Sequence, residues 1–314
     1  MTKSTRPAVD EALSPLHGVT RDGQPISYNR APAADLAPWI ARLYATVVDL
    51  PEGHRIDCGL LNDTAVIRVQ LKGAWTAETA AGPRAFGRAA LFFGPQTRRM
   101  PVSVTGSFIS VGVALRPGTG HAFRGIDTAD YLDQLLHCDE LDLPGEAALS
   151  ALDRTADPES WLVMLEAMIR QVVNHEGAAV PDSVSARFEV LAFTDPTITV
   201  ADAAGICGVT QRQLERIVRR DFGLPPKQVL RRARALDMAS SLRGVADQAE
   251  AEELALRFYD QSHLIREFTK LFGMSPSQFV ARSQPLLTFT LESRQARRLE
   301  LIERLEPGAV RPWQ

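Results

Sequence analysis

The sequence has only three cysteines, Cys58, Cys138 and Cys207, set far apart. An odd number at that spacing offers neither a disulfide framework nor a CxxC zinc knuckle, so the thiols read as buried structural residues. No apolar run reaches the roughly 18 residues of a membrane span. The longest candidate, residues 101–115, is diluted by Ser, Thr and Gly and bracketed by Arg99 and Arg116. The opening MTKSTRPAVDEALSP lacks the apolar centre of a secretory signal, so the expected compartment is the cytoplasm and the Asn62-Asp63-Thr64 pattern carries no glycan there. Histidines are scattered: His54, His121 and His137 form no HxH or HExxH pair, so no metal is expected. GxSxG and P-loop signatures are missing, and in RPGTGHAFRG the third glycine of a dinucleotide fingerprint would fall on Phe123. No catalytic residue and no cofactor is expected, and the chain does not read as an enzyme. Nor is there an excess of positive charge, since a net charge of -3 and a pI near 6.1 argue against a protein that coats nucleic acid uniformly.

What is present is 314 residues, 45% of them hydrophobic, enough for two cores. Residues from about 54 to 116 are written as short β-branched runs separated by Gly, Pro and Asn-Asp breaks. In FISVGVAL, Ile109, Val111, Val113 and Leu115 alternate with Phe108, Ser110, Gly112 and Ala114, the period of a strand with one strongly apolar face. AVIRVQL, ALFFG and PVSVTG behave similarly, and several close strands suggest a small barrel or sandwich. Trp75, Phe86, Phe92, Phe93 and Phe108 either pack its core or line a ligand pocket, with Phe92 and Phe93 on opposite faces. After Pro117 the pattern turns helical. Asp157, Pro158 and Gly177 punctuate one helix, whose stripe of Trp161, Leu162, Leu165, Ile169 and Val172 serves either packing on its own barrel or a dimer seam. The small, polar GAAVPDSVSA is the expected boundary. The chain therefore divides into 1–180, 181–283 and an extension 284–314.

In ITVADAAGICGVTQRQLERIVRRDFG, Thr199 and Asp202 mark a helix start, Gly208 a left-handed turn and Thr210 a second cap. Leu214, Ile217, Val218 and Phe222 share one face of the second helix, and Arg212, Glu215, Arg216 and Arg219 another. The arrangement is a helix-turn-helix. Between residues 206 and 234, eight basic residues stand against two acidic ones, a local +6 in a chain of net -3. Such a patch can displace counterions from phosphates. The same grammar returns in EAEELALRFYDQSHLIREFTKLFG, with a first helix to about Leu256, Asp260 as cap, Leu264, Phe268 and Leu271 inward, and Gln261, Ser262, Ile265, Arg266 and Lys270 outward. His263 reads either as a phosphate contact or as a buttress of the turn. PPKQVLRRARALDMASSLRG joins the two units as one long helix. Two reading helices on one connector can reach successive major grooves, about 34 Å apart.

Residues 198 to 283 resemble the DNA-binding domain of the AraC/XylS family of transcription regulators, on GVTQRQLERIVRRDFGLPPKQVLRRAR and above all on YDQSHLIREFTKLFGMSPSQF. The resemblance implies base-edge contacts from Arg212, Glu215 and Arg216 and from Gln261, Ser262 and Arg266. Gln211, Arg219, Arg220, Arg231, Ile265 and Lys270 complete the expected DNA-contacting set. The chain departs from the family pattern at Arg257, where a turn Gly is usual, at Val218, where Phe is common, and in the acidic run Glu250, Glu252 and Glu253. The first unit is therefore expected to dominate. The amino-terminal half is similar to the cupin-like sensor and dimerisation domains of the same family. The implied fold is α+β and multi-domain: a cupin-like β-barrel with flanking helices, then an all-α domain of two helix-turn-helix units joined by a long helix. The implied function is a sequence-specific DNA-binding transcription regulator acting as a homodimer on double-stranded DNA, with a small-molecule effector, an RNA polymerase contact and no membrane partner. Two alternatives are a structural DNA-binding protein without effector and a DNA-repair methyltransferase. The latter needs a zinc-bound cysteine cluster that Cys58, Cys138 and Cys207 do not offer. In the extension, LESRQARRLELIERLEPG reads as a solvated packing helix because its charges are mixed.

Overall fold

The computed structural model describes residues 6–247 and 261–314. Within them the fold is α+β. The amino-terminal half holds one antiparallel sheet of nine strands: β1 (Ser14–Pro15), β2 (Tyr28–Arg30), β3 (Ile40–Asp49), β4 (Arg55–Leu60), β5 (Val66–Thr79), β6 (Gly82–Phe86), β7 (Ala89–Phe93), β8 (Met100–Leu115) and β9 (Leu135–His137). The order is β1-β3-β8-β5-β7-β9, with β2 on β3, β4 on β8 and β6 on β5. The expectation that strands begin near residue 54 overlooks β3, whose IARLYATVVD pairs with β8 along nearly its whole length.

β5 and β8 are 14 and 16 residues long and bend so that each serves two parts of the sheet. Val66 to Gln70 of β5 pair with β7, whereas Trp75 to Thr79 pair with β6. The bend passes through Gly73 at φ +114°, where a Cβ would lie 2.7 Å from Trp75 Nε1 and 2.9 Å from Phe108 Cβ. Only glycine fits there.

Alternation sorts the two faces of the sheet. Leu43, Ala45, Val69, Val111 and Val113 point outward into an apolar core shared with α2 (Gly145–Leu152) and α3 (Pro158–Glu176). Arg42, Tyr44, Arg68, Gln70 and Ser110 point inward. The apolar face of FISVGVAL is thus the one the helices cover. Trp161, Leu162 and Leu165 of α3 are buried in that core, so of the two readings of their stripe the sheet takes it. All three cysteines are buried, and burial pushes the Cys138 thiol up to about 12.

After the short α1 (Thr119–Arg124) and the α2–α3 layer come α4 (Ser183–Thr194), α5 (Val200–Cys207), α6 (Gln211–Phe222), α7 (Pro226–Leu242), α8 (Gln261–Phe272), α9 (Pro276–Ala281) and α10 (Pro285–Leu301). Helices α4 to α6 and the first half of α7 enclose one core around Phe188, Leu214, Val218 and Phe222. Phe268, Phe272 and Phe279 form a second, with ring centroids 4.3 to 5.3 Å apart. No helix among the described residues is long and apolar enough to cross a membrane.

The extension differs from expectation. Helix α10 is buried along most of its length between the sheet and α7, and its mixed charges are paired rather than solvated. Arg294 reaches Asp63 (2.9 Å) and Asp237 (2.6 Å), Arg297 reaches Glu189 (2.6 Å), and Glu300 receives Arg42 (2.5 Å). Sequence gives only the sign of a charge, whereas its partner here lies up to 258 residues away.

Candidate nucleic-acid interface and interior cavity

The first unit is built from α5 and α6. Thr199 caps α5 by accepting from Asp202 N, and Gly208 closes it in the left-handed region at φ 71°. Thr210 then caps α6 in a reciprocal box with Gln213. Leu214, Ile217, Val218 and Phe222 fix the inner face, and Val218 is fully buried despite its small size. Gln211, Arg212, Glu215, Arg216 and Arg219 are exposed on the other side, with Gln211 Nε2 donating to Glu215 Oε1 at 3.1 Å. The structure thus brings these five together on one helix face.

The remaining cations of the +6 segment do not join that face. Arg220 lies against Asp221 (2.6 Å) and Asp182 (3.5 Å), and the Asp221 bond raises its pKa. Arg231 Nε is 2.9 Å from Glu267 Oε1. Arg234 donates to Pro196 O and Glu267 Oε2 at 2.9 and 3.2 Å. Arg232 is 1% exposed and donates to the carbonyls of Gln96 (2.9 Å) and Asp63 (2.6 Å) in the sheet domain. Burial lowers its pKa to about 10, so it stays charged at neutral pH. Lys227 alone of the others is exposed. The charge count is right, but half of it is spent on internal docking, which a linear tally of an all-round cationic helix does not reveal.

In the second unit Ser262, Ile265, Arg266 and Lys270 are exposed on α8, opposite the buried Leu264 and Phe268. Gln261 begins the helix. His263 Nδ1 lies 3.4 Å from Glu267 Oε1, one turn on. Glu267 thereby gathers His263, Arg231 and Arg234 and ties α8 to α7. Glu250, Glu252, Glu253, Leu256, Arg257 and Asp260, on which the entry helix, turn and cap of this unit depended, lie outside the described residues.

A cavity of about 90 Å³ occupies the inner side of the bent sheet beneath α10. Trp75, Phe86, Phe93 and Phe108 line it, whereas Phe92 faces the opposite side of the sheet. Arg68 donates to Asn62 Oδ1 at 3.0 Å and stacks on Tyr44 and Phe93. Arg68 Nε, Gln70 Oε1 and Asn62 Nδ2 are buried without a hydrogen-bond partner, the arrangement that accepts a polar guest. Burial raises the Tyr44 hydroxyl pKa, with Arg68 opposing. These residues were missed in the sequence, although Arg68 and Gln70 recur two apart in the apolar run AVIRVQL.

Residues 203–282 match the family described as a helix-turn-helix domain. The carboxyl-terminal domain is an AraC-type helix-turn-helix domain. Residues 28–137 match a domain of unknown function, DUF6597. No curated protein matched. Among solved structures, unsaturated fatty acid-bound ToxT from Vibrio cholerae strain SCE256 is similar over 76% of this chain and 94% of its own, at 13% identity and a TM-score of 0.44. ToxT from Vibrio cholerae O395 covers 86% and 98% at 10% identity and 0.42. The AraC-like transcriptional activator CuxR covers 62% and 75% at 14% identity and 0.30. With the AraC-type domain behind a separate sheet domain, the chain is a DNA-binding transcription regulator.

Proposed function

We propose that this regulator reads specific double-stranded DNA through α6 and α8 under the control of a small molecule held inside the sheet. The observation that carries this reading is the exposed face of α6. Arg212, Arg216 and Arg219 project from a helix whose other face is locked in a core. In this reading Gln211, Arg212, Glu215 and Arg216 meet base edges, since guanidinium forks match guanine and carboxylates accept from cytosine. Arg219 and Lys227 meet phosphates. Gln261, Ser262, Ile265, Arg266 and Lys270 form the second reader; Arg220, on α6, supports the first reader and Arg231, on α7, the second, each from the ion pairs that hold it. The 90 Å³ cavity, with Arg68, Gln70 and Asn62 among aromatic walls, suits a small polar effector. A homodimer, a contact with RNA polymerase, cytoplasmic residence, absence of enzymatic activity and a division at about residues 180 and 283 complete the proposal.

The test is selection of duplexes from a random pool, followed by fluorescence anisotropy. Arg216→Ala is expected to weaken the selected duplex by about 1–3 kcal/mol while leaving unrelated DNA nearly unchanged. Equal losses on both would reduce Arg216 to a phosphate contact, and failure to enrich any sequence would refute specific reading.

A further inference from the structure

On the outer side of the sheet lies a second cavity, of about 180 Å³, between Ile67, Val113 and Phe92 on the strands and the layer formed by α1, α2 and α3. It is separated from the interior cavity by the sheet itself. Its walls are almost wholly apolar. Trp39 and Phe123 meet edge to face at one side, and Phe92 and Tyr131 at another. An engineered apolar cavity of roughly 150 Å³ holds benzene, so this one has room for a substituted aromatic ring.

The polar groups at the rim decide what charge such a guest carries. Arg116 gives Nη1 to Glu189 at 2.8 Å and Nε to Ala37 O at 2.7 Å. Arg124 Nη1 donates to Leu141 O at 2.8 Å. Asp221 accepts from Ser185 Oγ at 2.5 Å and Arg220 Nε at 2.6 Å. Thr119 Oγ1 donates to Trp39 O at 2.9 Å. A charged ligand would lose hydration and find these ions already committed, whereas an uncharged apolar one loses nothing.

The same thin wall supports the reading helix. Gly118 N donates to Asp221 O, at the end of α6, at 3.3 Å, and a Cβ on Gly118 would lie 3.0 Å from Asp221 Oδ2. Gly223, just beyond α6 at φ +76°, packs so closely that an added Cβ would be 2.7 Å from Leu132 Cδ2. Thus α6 rests on α1 and on the Thr128–Tyr131 turn, and both of these line the cavity on their other side.

We infer that this outer cavity is a binding site for a small uncharged aromatic or aliphatic molecule, and that its occupancy is sensed directly by α6 through Gly118 and Asp221. The binding step stands apart from the proposed function, whereas the sensing step rests on α6 being a DNA reader. The probe is 4-fluorotoluene, followed by ¹⁹F NMR on the full chain. Saturable one-to-one binding is expected, weakened at least tenfold by Ala148→Leu and by Met168→Trp, which fill the cavity from α2 and α3, but unchanged by Ala114→Leu in the interior cavity. Circular dichroism and thermal melting establish that the variants fold. Absence of saturable binding, or binding lost only in Ala114→Leu, overturns the site. Saturating probe is further expected to change affinity for the selected duplex at least threefold, and the duplex to change probe affinity by the same factor. Binding with no such change overturns the sensing step, whereas failure to bind any duplex specifically, with probe binding intact, refutes the regulator reading alone.

Discussion

Replacing Arg294 by Met severs the joint that α10 makes between the two halves of the chain. The Arg294 guanidinium lies 2.9 Å from Asp63 Oδ2 and 2.6 Å from Asp237 Oδ1, and stacks 4.8 Å above the Phe193 ring. The Asp237 side chain is 2% exposed, and without Arg294 its Oδ1 keeps only Gln295 Nε2 at 3.3 Å. A buried carboxylate stripped of its cation costs about 3–5 kcal/mol. The methionine retains most of the packing on Phe193, so the electrostatic loss dominates. Against a total stability of about 5–15 kcal/mol, that loss is large enough to shift the urea midpoint clearly. Removing both charges together in Arg294→Met/Asp237→Leu is expected to recover most of the loss, because the pair roughly balances its own desolvation. Urea unfolding followed by far-ultraviolet circular dichroism measures both variants. A single-variant loss below about 1 kcal/mol, or a double variant in which the two losses simply add, would refute the claim that this buried pair holds α10 in place.

Other consequences follow from the same contacts. Burial raises the Asp63 carboxyl, but Arg294 and Arg232 outweigh it and hold it below its ordinary range. Its contribution is therefore complete above about pH 3.9 and is lost as pH falls through the lower folded value; Asp63→Asn should flatten the acid limb of an unfolding-versus-pH curve. Arg219→Ala is expected to reduce the log-log salt slope of DNA binding by about 0.9, and Arg231→Ala by distinctly less because Glu267 holds that guanidinium; equal reductions would show that Arg231 leaves Glu267 on DNA. Gly223→Ala should cost at least about 1 kcal/mol from its left-handed backbone alone, with the Leu132 contact adding to it, and an unchanged melting temperature would count against the tight docking of α6. Residues 1–180 are expected to sediment as a dimer at micromolar concentration, although the stripe on α3 is covered by its own sheet; a monomeric fragment from a dimeric full chain would place the interface elsewhere.

The legible parts of this molecule are those whose physics is local. Thr199, Gly208 and Thr210 announce the first helix-turn-helix because caps and left-handed turns act within four residues, and the apolar spacing of Leu214, Ile217, Val218 and Phe222 gives the inner face without any tertiary knowledge. Strand alternation likewise separates Phe92 from Phe93 before any fold is known. What was not legible depends on partners distant in sequence. Arg232 reads as one more surface cation until it is seen to donate to Asp63 and Gln96 across 169 and 136 residues. The charges of α10 read as solvated for the same reason, and Arg68 and Gln70 reveal a polar cavity only once the sheet curls around them.

Helices α6 and α8 end on the sheet domain in the same way. Gly118 N donates to Asp221 O at the end of α6, and Arg99 N donates to Leu271 O near the end of α8 at 2.7 Å. Each amide satisfies a carbonyl that the helix itself leaves open. The two units are also tied together through α7, since Arg234 on α7 bonds Pro196 O ahead of α5 and Glu267 on α8. A signal from the sheet domain therefore has two routes of unequal cost. Tilting the first unit, with α7, against α8 breaks the Arg234 and Arg231 bonds to Glu267 as well as the docking bonds. Shifting both units as one body keeps those bonds but breaks the docking bonds together with the Arg232 and Arg294 joints, the Arg116–Glu189 pair and the Arg243 bonds to Ala8 O and Gln24. Because bonds to charged groups are the strong ones, the choice turns on how many of them each movement sacrifices. Movement at the Gly118–Asp221 contact alone sacrifices none, which places the most responsive point of the interface beside the outer cavity rather than under α10.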